Sequence, residues 1–410
     1  MFTPRQRVLA AVNHQEPDQV PIDLAGHRAS GMAAIAYNRL KKHLGIKNGA
    51  IYVYDMVQQL AIIEPEMMDY LGVDTIELGR AFAQEPEYWH DWELPDGTPC
   101  KIPSFIQPVK VGRDWHIYHA DGTQIAIQRE GCYYFEQTCN PLADRIHENF
   151  NNLRADMDKV MWAAMGAPPA PIGYDQAGLK ALEAGAKHLR ATSDRAIVGL
   201  FGANVLEWGQ FLFGMQNFLT LLASEPKQVH LFLDKLLEVH LENLQLFTSA
   251  VGSYIDIIHF NDDFGMQTGP QISIKMYLDF FHPHYVRLWE RTRQLTNAKI
   301  MLHCCGGIYP LLPYLIDAGL EILQPVQTSS RGMEAERLKR EFGKDLCFWG
   351  GGCETQGILD RGTPEEVAED VHRRVEIFAP GGGFVFQQIH NIQADVPAEN
   401  ILAMFGAVNA

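Results

Sequence analysis

The stretch Lys299–Gly307, KIMLHCCGG, sets an imidazole and a thiol two residues apart where an apolar run ends. In an extended strand, residues i and i+2 project to the same side. His303 and Cys305 would therefore point together, with Cys304 facing the other way into the core. A nitrogen and a sulfur donor side by side make half of a soft-metal site, with zinc the expected occupant. A lone His or Cys on an apolar strand is ordinarily core; it is the pair, followed by Gly306-Gly307, that favours a metal. Cys353, which closes the later run CFWGGGC, supplies a third soft donor. Its competing reading is structural, because Gly350–Gly352 before it also suits a tight, anion-binding turn.

For these donors to meet, the runs that carry them must be neighbouring strands. The candidate strands are Val20–Ala25, Asp74–Gly79, Ala196–Phe201, Ile255–Phe260, Lys299–Cys304, Glu321–Val326, Cys347–Gly352 and Gly383–Gln388. Helical patterns lie between them, among them Met32–Leu44, Lys227–Val251, Ser273–Leu295 and Thr363–Phe378. Apolar runs alternating with helices argue for parallel strands covered on both sides. Eight of them predict an α/β fold, a (β/α)8 TIM barrel in one domain over 1–410. A doubly wound open sheet is the alternative, but no GxGxxG follows the first strand. From 82 to 138 the alternation gives way to aromatic-rich segments around Pro95–Thr98 and Ala120–Thr123, which are hairpin-turn signals. This predicts an inserted antiparallel β excursion. A polar link, Ala143–Met165, then leads to the Pro-rich break APPAPIG.

In such barrels chemistry sits at the C-terminal ends of the strands. The strand ends here are polar: Asn204 and Glu207, Asn261 to Asp263, His303 and Cys305, Gln324 and Gln327, Cys353 with Glu354 and Gln356, then Gln387, Gln388 and His390. Asp262 and Asp263 are the candidate proton-transfer groups; the plainer reading makes them helix caps or solvated loop acids. Glu354 would complete a metal shell or orient a ligand, and His390 would be a further ligand or a substrate contact. Asn204, Glu207, Gln327, Glu354, Gln356, Gln388 and His390 are the expected substrate-binding set. Tyr88, Trp89, Trp92, Tyr133 and Tyr134 would cap a pocket or, more simply, pack the hairpins.

Composition narrows the partners. With Lys+Arg 34 against Asp+Glu 50, the net charge of −16 argues against a nucleic-acid or anionic-membrane partner. No apolar stretch reaches the roughly 18 residues that span a bilayer, and the N-terminus lacks the apolar core of a signal peptide. Seven cysteines, an odd count without export signals, read as reduced thiols in a cytoplasmic protein.

Several ordered blocks carry a resemblance: TPRQRVLAAVNHQEPDQVPID, GCYYFEQTCNPLAD, DDFGMQTGPQIS, HCCGGIYPLLPYLIDAGLEILQPVQ, FWGGGCETQGILDRGTPEEV and PGGGFVFQQIHNIQADVPAENI. Over nearly its whole length the chain resembles the uroporphyrinogen decarboxylase superfamily, and within it the branch of corrinoid-linked zinc methyltransferases. That resemblance implies a (β/α)8 barrel and a zinc ion held through His-x-Cys and a later Cys, matched by His303 and Cys305. It implies a small methylated, possibly methoxylated, compound as one substrate and a corrinoid (cobalamin) carried by a partner protein as the other. Family habit also implies a homodimer. Coenzyme M-linked relatives place the third Cys in a PGCG turn, where this sequence has Gly382; Cys353, one strand earlier, is the expected replacement. Porphyrin-decarboxylating members carry an Arg-rich segment near the N-terminus, of which AGHRASG keeps only Arg28. A metal-independent decarboxylase or lyase working through Asp262, Asp263 and Arg28 is the alternative activity.

Overall fold

Seven strands pair in parallel, each with the next in chain order, into one curled sheet: Thr75–Glu77, Ala196–Gly202, Ile257–Asn261, Lys299–His303, Ile322–Gln324, Cys347–Trp349 and Phe384–Val385. This computed structural model describes residues 2–83, 85–166 and 172–410. Most of the Pro-rich break, 167–171, is outside the described residues. The strands are short apolar runs buried on both faces, as helix-covered parallel sheets require.

The expected first strand, Val20–Ala25, is reduced to one parallel bridge between Ile22 and Phe386. Pro21 has no N–H to donate, and the Ile22 N–H goes to the Asp74 carboxylate at 2.9 Å instead of to a neighbouring strand. The segment nevertheless fills the eighth position. Asp23 N donates to Phe386 O and Asp74 N to Ile22 O, each at 2.8 Å, joining the last strand of the sheet to the first. The result is a TIM-like barrel.

Inside it, alternation sorts residues by height. Met301, Ile322, Cys347 and Val385 pack with Val8, Ala11 and Val12 of the helix Pro4–Val12, which plugs the N-terminal end of the barrel. Arg5 ties this plug to Asp256 at 2.8 Å and Arg7 ties it to Asp74 at 2.5 Å. Two residues further along the same strands the inward side chains turn polar: His303 after Met301, and Gln324 after Ile322. Outward residues such as Ile258, Phe260, Ile300, Leu302 and Phe348 pack against the helices.

The excursion is antiparallel, with a hairpin of Trp89–Glu93 and Pro99–Pro103 and a four-stranded sheet that includes Asp114–Tyr118 and Gln124–Gln128. Its aromatics pack on one another, Trp92 against Trp115 and Trp89 against Tyr52. The predicted helix Ser273–Leu295 is instead Ile274–Met276, a wide π-helical turn over Tyr277–Phe281 and the helix His282–Leu295, with Pro283 at the junction. Among the described residues no helix is long and apolar enough to cross a membrane.

Candidate metal centre and cavity

His303 ends its strand at the barrel mouth, and the chain turns at Gly306 with φ +84. A Cβ on Gly306 would lie 2.4 Å from the backbone of Gly265. The glycines after the HCC triplet therefore admit the crossing loop at 265–266. Cys305 folds back under it, so that its Sγ sits 3.4 Å from His303 Nε2. His390 arrives from the loop after the last strand, its ring centroid 5.6 Å from that of His303. His303, Cys305 and His390 each place a donor atom within 4.8 Å of the other two.

The orientation of His303 is fixed from below. Gln387 Nε2 donates to the Ala29 carbonyl at 3.0 Å, and a carbonyl can only accept. That turns the Gln387 oxygen toward Gln324 Nε2, 3.1 Å away. The Gln324 oxygen then faces His303 Nδ1 at 2.6 Å. Nδ1 must therefore carry the hydrogen, leaving the Nε2 lone pair for the cluster, as outer hydrogen-bond partners do in zinc sites.

The donors suit zinc. Two imidazoles and one thiolate form an open set of three protein ligands, with room for a substrate or water. Burial lowers His303 and takes His390 down to about 3, so both rings are neutral and able to ligate. Burial, then Asp263, pushes the Cys305 thiol well up. Such a thiol ionises only when a cation shares its site.

Cys353, the expected third donor, is not part of this group. Positive φ at Gly350 and Gly351 turns the chain after its strand, and the buried Cys353 thiol lies near Asp370 and Glu354, whose charges together with burial push it well up. Cys304 faces away as expected, its sulfur accepting from Phe264 N at 3.3 Å.

The two acids part company. Asp262 accepts from Val205, Leu206 and Glu207 N at 2.9, 2.7 and 2.8 Å and from the Tyr285 hydroxyl at 2.5 Å. It is the anchor of the helix Leu206–Phe213. Burial pushes its carboxyl up to about 6, against those four donors, so it is a carboxylate at neutral pH. Asp263 accepts from Cys305 N at 2.6 Å and lies 3.6 Å from His303 Nε2.

A cavity of about 520 Å³ opens beside the donors. Asp263, Asn204, Glu207, His303 and His390 line it, with Arg28 and a group of aromatic residues. Burial first, then Asp263 and Asp262, pushes the Glu207 carboxyl well above its ordinary range, while Asn204 donates to it at 2.6 Å. Asp262, Cys353 and the five excursion aromatics do not line this cavity. Nor do the other expected substrate residues. Gln327 accepts from Gly306 N at 2.8 Å and holds the HCCGG turn. Glu354 accepts from Gln356 N at 2.7 Å and Ile358 N at 3.2 Å, stabilising its own loop. Gln356 is exposed, and buried Gln388 reaches Ser30 O at 3.4 Å. Sequence reasoning missed His259 and His27, buried rings 4.6 Å apart beneath the cluster. The i, i+2 spacing from Asn261 was the available signal for His259.

A family model described as uroporphyrinogen decarboxylase (URO-D) matches residues 197–410. No curated protein sequence matches. Among solved structures, a methyltransferase from Methanosarcina mazei is similar over 99% of this chain and 98% of its own, with TM-score 0.57 and 16% identity. A 7,8-dihydropteroate synthase from Vibrio fischeri ES114 aligns over 36% of this chain and 54% of its own at 12% identity, with a TM-score of 0.24. At these identities the first likeness concerns the fold, and the second is too slight to bear on it.

Proposed function

The chain belongs to the uroporphyrinogen decarboxylase family by the match over residues 197–410, and on that premise we propose that it is a zinc-dependent methyltransferase. It would move a methyl group between a small methylated compound held in the cavity and a corrinoid carried by a partner protein. The observation that carries this reading is the meeting of His303, Cys305 and His390 within 4.8 Å of one another, with His303 and His390 lining the cavity. Zinc bound there would act as a Lewis acid on the oxygen of a methyl ether, or hold a thiol acceptor as thiolate.

The chain's own residues have separable tasks. Gln324 presents the His303 lone pair. Asp263 holds the Cys305 backbone and faces the His303 ring. Glu207, the acid in the cavity most disposed to keep a proton, would deliver it to the leaving oxygen. The decarboxylase alternative lacks support from charge: Arg28 is the only arginine lining the cavity among the described residues, and its guanidinium faces Asp55 at 3.6 Å.

Metal content of the purified protein tests the assignment. We expect one zinc per chain in the wild type, lost in Cys305→Ala and His390→Ala and kept in Cys353→Ala. Zinc lost in Cys353→Ala and kept in His390→Ala would return the third ligand to Cys353. A wild type without zinc after zinc-supplemented expression would remove the mechanism and favour a metal-free lyase. Methylation of an added corrinoid protein then tests the reaction itself.

A further inference from the structure

A second cavity, of about 570 Å³, lies where the helix Ala34–His43 and the loop after it meet the excursion hairpin. It shares no lining residue with the cavity beside the metal donors. Its lining is basic. Lys41, Lys42, Lys47 and Lys101 all contribute, four of the fourteen lysines in a chain of net charge −16. Lys41 and Lys42 stand in the last turn of the helix, where cations also answer the helix dipole. That local rule leaves Lys47, from the loop, and Lys101, from the strand Pro99–Pro103, without a reason to converge. The three elements are held together: Asn38 Nδ2 donates to Thr98 Oγ1 at 3.0 Å, and Lys101 N to Ile51 O at 2.8 Å.

The acids at hand do not cancel these charges. Glu64 takes Lys41 at 2.5 Å, and Asp91, whose side chain is 90% exposed, takes Lys101 at 2.6 Å. A pair as exposed as the second is weak and yields to a stronger anion. Glu66, Glu93 and Asp96 lie nearby but do not line the cavity. Lys42 and Lys47 have no acidic partner among the described residues. The loop adds further donors. Gly49 has φ +86, and a Cβ there would lie 3.0 Å from Lys41 Nζ, so glycine lets the chain pass this close to the buried lysine. Among the described residues, none of the amides from Lys47 to Ile51 donates a hydrogen bond to another backbone group. Unpaired successive amides beside lysines make an anion-binding concavity. Its other wall is apolar, with Ile46, Ile51 and Pro99.

We infer that this cavity binds a small organic phosphate of nucleotide size. Its phosphoryl oxygens lie on Lys42, Lys47 and the loop amides, and its apolar body lies on Ile46, Ile51 and Pro99. Two unpaired ammonium groups with several amides match a multiply charged group with many acceptor oxygens better than a single carboxylate. The volume falls within the range of about 300–1,000 Å³ usual for small-molecule sites, most of which a lone phosphate ion would leave unfilled. Bound there, the ligand braces the excursion hairpin against the barrel.

Calorimetric titration of the full-length protein with ATP, tripolyphosphate and adenosine in magnesium-free buffer is the test. ATP should bind saturably at one site, tripolyphosphate more weakly and adenosine more weakly still. A chain of net charge −16 repels polyanions at long range, so general attraction does not produce such binding. The exposed lysines can be changed without disturbing the core. Lys42→Ala and Lys47→Ala should each weaken ATP about threefold, and together about tenfold, with the thermal transition of the free protein unchanged. Cys305→Ala should leave the affinity as it is. A loss of affinity in Cys305→Ala would place the phosphate on the metal centre and overturn the inference. So would the absence of saturable ATP binding, or an affinity indifferent to both lysines. Tripolyphosphate or adenosine binding as tightly as ATP would overturn it too, by removing the role of the apolar wall or of the lysines. None of these outcomes bears on the methyl-transfer reading, which rests on the other cavity.

Discussion

At the scale of single residues, the metal reading depends on a proton. His303 ligates through Nε2 only if Nδ1 keeps its hydrogen, and the chain from Gln324 through Gln387 to the Ala29 carbonyl imposes that tautomer. Gln324→Leu removes the acceptor without touching a ligand. Zinc affinity should fall about 10–100-fold, read by competition with a chromophoric chelator, while the metal-free protein loses about 1–3 kcal/mol for each of His303 Nδ1 and Gln387 Oε1 left unpaired. An unchanged affinity would mean that the cluster itself sets the tautomer. Of the three donors, His303 and Cys305 were legible because a period of two on one strand is a local rule. The choice of His390 over Cys353 was not. It turns on the path after Gly350-Gly351, where a backbone with positive φ sends the thiol toward Asp370.

At the scale of elements, the mouth of the barrel is assembled by one buried carboxylate. Asp262 joins the strand Ile257–Asn261, the start of the helix Leu206–Phe213 and, through Tyr285, the helix His282–Leu295. Hydrogen bonds to a charged group are worth about 1.5–3 kcal/mol each, enough in sum to outweigh the desolvation of one carboxylate. Asp262→Asn should therefore cost about 3 kcal/mol or more in denaturant unfolding, and Tyr285→Phe about 1–2 kcal/mol. In Tyr285→Phe the zinc content should stay intact. If Asp262→Asn were as stable as wild type, the carboxylate would not be what holds these elements together. The sequence offered both readings of Asp262, cap and proton donor, because Asp after a strand suits either. Long-range partners decide between them, and Tyr285 is 23 residues away. The helical periods and most apolar strands were readable; Val20–Ala25 was not, since Pro21 and the Asp74 carboxylate redirect its hydrogen bonds.

For the molecule as a whole, acid should act through buried titratable groups as well as through net charge, and the buried histidines are the ones that lose stability. His240 donates Nε2–H to the Asn204 carbonyl at 3.0 Å, and burial lowers its pKa from 6.5 to about 4. Burial likewise lowers His284. A histidine whose folded pKa lies below its unfolded one contributes stability in full above about pH 6.5 and loses it as the pH falls toward 4. Over that window the unfolded chain binds the extra proton. For His240 alone the loss amounts to about 3 kcal/mol at most, at roughly 1.4 kcal/mol per pKa unit. The net charge of −16 works the other way, because protonating carboxylates relieves repulsion. That surface effect is screened at about 1 M salt, where the Debye length is about 3 Å, and the buried one is not. Asp262 and Asp74, whose carboxyls burial pushes up to about 6, act in the opposite sense over the same window. A variant therefore isolates the histidine: His240→Gln keeps a donor for Asn204 but does not titrate. In high salt the unfolding free energy of the wild type relative to His240→Gln should fall between pH 6.5 and 4 by up to one proton's worth. Parallel curves for variant and wild type would show that His240 is protonated in place.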